Sequence, residues 1–142
     1  MSVVASNRSE CKLEAALKAL DLCTHTLNLT KGKKFLPEYQ SVITDKINEL
    51  AVSIYINVRT ANDIVANTAK DLEDRVALQR KAAEECNLLR YSISIAKKIF
   101  HLRSKSVENW IKMTIGTRDI IKSWSDSDKK RFNEKIKSRD KG

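Results

Sequence analysis

The chain has 142 residues, 32% of them charged, with a net charge of +9 and only 3 Gly and 1 Pro. That length suits one domain with a core of its own. The scarcity of Gly and Pro excludes collagen, low-complexity linkers and loop-rich sandwiches. No apolar run approaches the roughly 20 residues of a transmembrane helix. Residues 1–8 lack the charged start and long apolar stretch of a secretory signal. A soluble, cytoplasmic protein with no membrane partner is therefore expected.

Residues 1–9 read as a short lead. A first helix is expected from about Glu10 to Leu29, with Leu13, Ala16, Leu17, Leu20, Thr24 and Leu27 at spacings of three and four. Lys31-Gly-Lys-Lys34 ends it, because Gly32 accepts a left-handed backbone and the lysines suit the negative helix end. Pro37 suits a first helical turn. The second helix is expected to run on to about Thr68, with Ile43, Ile47, Leu50, Ile54, Val58, Ala61 and Val65 inward. Val52 and Ile56 lie off that stripe, which means either a subunit contact or deeper burial within one bundle.

Ala69-Lys-Asp-Leu72 reads as a turn or kink. A third helix follows to Phe100, with Val76, Ala83, Cys86, Leu89, Ile93, Ala96 and Phe100 inward and Leu88, Ile95 and Ile99 widening the stripe. His101–Ser104 is a connector, and Ser104 or Ser106 caps a fourth helix. That helix is expected to turn Val107, Trp110, Ile111, Thr114, Ile115, Ile121 and Trp124 inward. Ser125-Asp-Ser-Asp128 reads as a break. The fold expected is all-α, an up-down-up-down antiparallel four-helix bundle over residues 10–125, followed by a basic tail over 126–142 that is frayed or disordered until bound.

Charge is distributed unevenly. Residues 1–85 carry 12 basic and 12 acidic side chains, whereas residues 86–142 carry 15 and 6. The whole excess lies in the last two fifths of the chain. Such an asymmetry points to an anionic partner: nucleic acid first, a membrane surface second, an acidic protein third. Arg90, Lys97, Lys98, Arg103, Lys105, Lys112, Arg118 and Lys122 lie along helices three and four, with Lys129, Lys130 and Arg131 opening the tail. Cations spaced along two adjacent helices suit a phosphate backbone, and Arg adds the planar geometry that structured RNA accommodates. Trp110 and Trp124 suit base stacking, a subunit or partner interface, or the core.

No catalytic constellation is found. A phosphate-binding glycine loop and a nucleophile elbow are missing, and His25 and His101 lie at separate helix ends. Cys11, Cys23 and Cys86 are odd in number and fit no metal spacing, so reduced thiols and no cofactor are expected.

Six short segments carry a family resemblance: Phe35-Leu-Pro-Glu-Tyr39, Ala61-Asn62, Leu88-Leu-Arg90, Ile95-Ala-Lys97, Ile115-Gly116 and Ser123-Trp124. In this order, over about residues 10–131, the chain resembles the accessory variability determinant proteins of diversity-generating retroelements. The ribosomal-RNA intervening-sequence four-helix proteins are related to them. The resemblance implies a homopentamer of four-helix protomers with no catalytic site. It also implies a basic surface that binds a reverse transcriptase with its template RNA and cDNA and supports mutagenic cDNA synthesis. Arg90, Gly116 and Trp124 match the family's arginine, glycine and tryptophan. Two other expectations remain beside it: a homo-oligomeric protein-interaction adaptor, and a ribosomal-RNA-associated bundle.

Overall fold

A computed structural model describes the backbone of residues 2–141 and the side chains of residues 11–139. The described residues form four long helices and no strand. These are α1 (Ser2–Leu29), α2 (Asp45–Asp63), α3 (Ala69–Phe100) and α4 (Ser104–Lys141). A 3-10 turn over Pro37–Tyr39 and a π-helical turn over Gln40–Thr44 lead into α2. Packing is cyclic: α1 lies against α2, α2 against α3, α3 against α4, and α4 against α1. Four amphipathic helices around one shared core are consistent with a four-helix bundle.

The core follows the inner stripes of α2 and α3. Ile43, Ile47, Ile54, Val58 and Ala61 are buried from the α2 side, and Cys86, Leu89, Ile93, Ala96 and Phe100 from α3. The face of α1 differs from expectation. Ala15, Ala19, Leu22, Cys23 and Thr26 are buried, whereas Leu13 is 60% exposed and Leu17 52%. Both sets satisfy helical spacing. The alanines win the inner position because a small face lets the neighbouring backbones approach closely, and Thr26 accepts the Trp110 indole N–H at 2.9 Å.

The connectors are set by local chemistry. Gly32 donates to the Leu29 carbonyl at 3.1 Å without taking the left-handed backbone expected of it, and a β-carbon there would meet that oxygen at 3.2 Å. Phe35 then drops into the core beside Phe100 (ring centroids 4.9 Å) and Trp110 (6.4 Å), which pins the α1–α2 connector. Thr68 and Asp71 form a reciprocal capping box, so α3 begins at Ala69, where a turn was expected, and α2 ends at Asp63 rather than Thr68. Val65 consequently sits in the connector, 67% exposed, instead of on an inner stripe. His101 closes α3 in the left-handed region (φ 53°), and Leu102 N–H reaches back to the Lys97 carbonyl at 3.2 Å.

Two expected boundaries move. α1 already runs from Ser2, through the expected lead 1–9. α4 passes without interruption through Ser125–Asp128, so the division between a bundle at 10–125 and a tail from 126 does not mark the end of a helix. Asp128 is the reason. It lies seven residues after Ile121 and four after Trp124, on their inward line. Its carboxylate accepts from Arg75 Nε at 2.8 Å, Arg75 Nη2 at 3.2 Å, Gln79 Nε2 at 2.7 Å and Arg131 Nη2 at 3.0 Å. Arg75 also lies over the Trp124 ring, 5.1 Å from its centroid. Only from Asn133 to Arg139 does α4 run fully exposed.

Candidate nucleic-acid interface

The cations named from the sequence separate into four groups. One group gathers at the end of the molecule where α1 passes to α2 and α3 passes to α4. Lys33 and Lys34 of the first connector and Arg103 of the second line one cavity of about 270 Å³ with Leu29, Leu102 and Trp110. Lys97 and Lys98 sit in the last turn of α3 and Lys105 in the first turn of α4, so chain connectivity brings them to the same end. Lys31 is exposed in the first connector too. Two exposed carboxylates share this end: Glu38 in the same connector, four residues after Lys34, and Glu108 three residues after Lys105. The α3 lysines also suit the negative end of that helix. This is a concentrated positive surface, held rigidly because Phe35 anchors one connector and the left-handed turn at His101 fixes the other.

The second group lies in a groove of about 370 Å³ between α3 and α4. Lys122 and Lys129 line it together with Arg80, but so do Glu84 and Asp126. Arg118 lies on the same side. It donates to Asn87 Oδ1 at 3.0 Å and holds Asp119 with both Nε and Nη2 at 3.1 Å. The positive excess there is small.

The third group, Lys105, Lys112 and Lys130, recurs at intervals of seven and eighteen along α4. That places these side chains on one line of the helix, about 120° from Arg118. Lys105 thus joins this line to the basic end. The fourth group is structural. Arg131 holds Asp128, and Arg90 is half-buried with its guanidinium 5.3 Å from the Tyr91 ring centroid.

Trp110 and Trp124 are corrected. They are 1% and 2% exposed within the chain, so neither offers a ring to a base, another subunit or a partner. Of the other two interface candidates, Val52 is half-buried and Ile56 is 53% exposed. Sequence reasoning assigned Lys31, Lys33 and Lys34 only to the end of a helix. The missing signal was their proximity to Arg103, some seventy residues away.

Among the described residues there is no group of three or more His, Cys, Asp or Glu side chains able to hold a metal ion. No described helix is long and apolar enough to cross a membrane. The three cysteines are free thiols. Burial pushes the Cys86 thiol up to about 12; nearby Arg118 opposes the shift, and Glu85 and Asp119 add to it. Cys23 is raised by burial as well. Neither is a nucleophile near neutral pH, since the thiolate is the reactive form. No known protein family, curated protein or solved structure matches the chain.

Proposed function

We propose that this chain is a non-catalytic accessory subunit of a retroelement reverse transcriptase, acting in the cytoplasm as a homo-oligomer that binds structured RNA and cDNA. The observation that carries the binding part is the basic end, where Lys33, Lys34 and Arg103 from two connectors line one cavity. Cations that outnumber the carboxylates Glu38 and Glu108 at this end would neutralise phosphates, and shape rather than base edges would govern recognition. The polymerase partner and the pentameric state rest on the resemblance described above.

The same reading takes the fold as an up-down-up-down bundle whose basic C-terminal segment extends the surface. Three sets of pairings support the topology. Thr26 pairs with Trp110, and Lys18 with Thr117. Asn57 pairs with Glu85, and Ile64 with Arg75. Asn87 pairs with Arg118, and Arg75 with Asp128. In every set one residue number rises as the other falls.

Two exposed apolar stripes support self-association. Leu13, Leu17 and Leu20 run along α1, and Leu88, Tyr91, Ile95 and Ile99 along α3. They also support a second reading, an oligomeric adaptor that docks an acidic protein at its basic end.

Fluorescence anisotropy with structured RNA, from about 50 to 300 mM salt, tests the binding part. Affinity should fall linearly on logarithmic axes, and the Lys33→Glu, Arg103→Glu double variant should shallow the slope by about 2. Lys122→Glu with Lys129→Glu should weaken binding less. An unchanged affinity in the first variant removes the basic end as the site. Absence of binding at low salt refutes the nucleic-acid reading and leaves the adaptor.

A further inference from the structure

The opposite end of the molecule, where α2 passes to α3, holds a second concave site of different character. A cavity of about 440 Å³ opens between the α2–α3 connector, the start of α1 and the late part of α4. This volume falls in the range of roughly 300–1,000 Å³ typical of small-molecule sites. Its walls combine three chemistries.

The first is positive charge. Lys12 from α1 and Lys135 from α4 line the cavity, and neither is in an ion pair with a described residue. Arg75 and Arg131 line it as well, with one carboxylate, Asp128, between them. Both guanidinium groups hold Asp128, and Lys12 and Lys135 add positive charge beside them. A concave wall of one sign concentrates an anion.

The second is a flat apolar surface. Phe132 contributes its ring, and Ile64 and Val65 face the same space. The third is a pair of amides, Asn62 and Asn67, each able to donate and to accept. Asn62 Oδ1 is buried and has no hydrogen-bond partner. A buried acceptor left without a partner is costly, and a ligand N–H would relieve it.

Phosphate-binding cations beside an aromatic ring and base-edge amides describe the recognition of a nucleotide. We infer that this cavity binds a nucleoside monophosphate unit, with Lys12 and Lys135 on the phosphate, Phe132 against the base and the Asn62 and Asn67 amides at its edge. Arg75 and Asp128 position the wall. They lock α4 against α3 and keep Phe132 and Lys135 on the same side as the connector.

The same chemistry comes from two sources, a free mononucleotide or one unpaired nucleotide of an RNA. The inference does not depend on the RNA reading above, because the residues differ and lie at the other end of the molecule.

Isothermal titration calorimetry of the full chain with AMP, GMP, CMP and UMP tests it, with inorganic phosphate and adenosine as references. At least one monophosphate should bind about tenfold more tightly than inorganic phosphate, since ring stacking adds to the charge term. Lys12→Ala and Lys135→Ala should each weaken it about three- to tenfold, and Phe132→Ala by a similar factor, with helicity by circular dichroism unchanged. Competition then distinguishes the sources. Displacement of the nucleotide by single-stranded RNA assigns the cavity to an RNA nucleotide, and simultaneous binding assigns it to a free one. The inference is overturned if no monophosphate exceeds inorganic phosphate, or if the two lysine variants bind as tightly as the unaltered chain. Nucleotide binding without any RNA binding would uphold this site while removing the proposed function.

Discussion

Asp128→Ala tests the element that makes α4 one continuous helix. The Asp128 side chain is 4% exposed and that of Arg75 6%. Its removal strips Arg75 of two of its three hydrogen bonds and leaves the Gln79 amide nitrogen unpaired. Breaking a buried ion pair from one side costs about 3–5 kcal/mol, because the remaining charge stays out of water. The whole chain is worth roughly 7–20 kcal/mol, so the variant should fold but melt roughly 10–17 °C lower. The counterpart Arg131→Ala should cost only about 1 kcal/mol or less, because that side chain is one-third exposed.

The assay is thermal and urea unfolding followed at 222 nm, with tryptophan fluorescence beside it, to which Trp124 contributes under the Arg75 guanidinium and Trp110 from the core. A double-mutant cycle over Arg75→Met and Asp128→Leu isolates the pair, and a coupling of about 2 kcal/mol or more is expected. The double variant should recover much of the single-variant loss but not all of it. Arg75 Nη1 also donates to the Ile64 carbonyl at 2.9 Å, and that acceptor would lose its partner. If Asp128→Ala costs less than about 1 kcal/mol, Arg75 reaches water in solution, and the docking of α4 beyond Trp124 is refuted.

The remaining predictions concern chemistry nearer the core and the turns. Cys86 has a raised pKa in the fold, so its contribution to stability is complete below the unfolded thiol's value near 9 and is lost as pH rises toward about 12. Over pH 9–10.5 the unaltered chain should lose stability faster than Cys86→Ala, by at most about 1.4 kcal/mol per pH unit; parallel urea-midpoint curves would refute it. In the native state at pH 8 Cys86 should resist a thiol reagent that labels half-buried Cys11, and it should react on unfolding, as peptide mass mapping would show. His101→Gly should be neutral or stabilising by up to about 1 kcal/mol, since it relieves a left-handed backbone at a helix end. A clear loss of melting temperature would mean that the imidazole itself holds the turn.

How far the sequence reveals this molecule depends on the range of the interaction that decides each feature. The inner faces of α2 and α3 are legible because their buried residues keep one helical period over several turns, from Ile43 to Ala61 and from Cys86 to Phe100. Lys97, Lys98, Arg103 and Lys105 are legible as a charged segment from local composition. The continuity of α4 is not. Ser125-Asp-Ser-Asp128 carries the residue types of a break, and the partner that draws Asp128 inward is Arg75, 53 positions away. The share of Lys33 and Lys34 in the basic end is hidden for the same reason, as is the pairing of Lys12 with Lys135 across the nucleotide cavity.

α1 fails differently, and the failure bears on function. Its two apolar faces both obey helical spacing, one of leucines and one of alanines, so periodicity alone cannot say which turns inward. Transfer free energy would bury Leu13, Leu17 and Leu20 first. The fold instead buries the line of Ala15, Ala19, Leu22 and Thr26, where Thr26 accepts the Trp110 indole N–H. The leucines are therefore left outside by packing geometry, not by any affinity for water. A chain that keeps such a stripe on α1, and another over Leu88–Ile99 on α3, leaves apolar area unburied at two separate places. The self-association proposed above would cover both when the α1 stripe of one protomer meets the α3 stripe of another, either in a two-fold pair that makes this contact twice or in a head-to-tail array, closed or open.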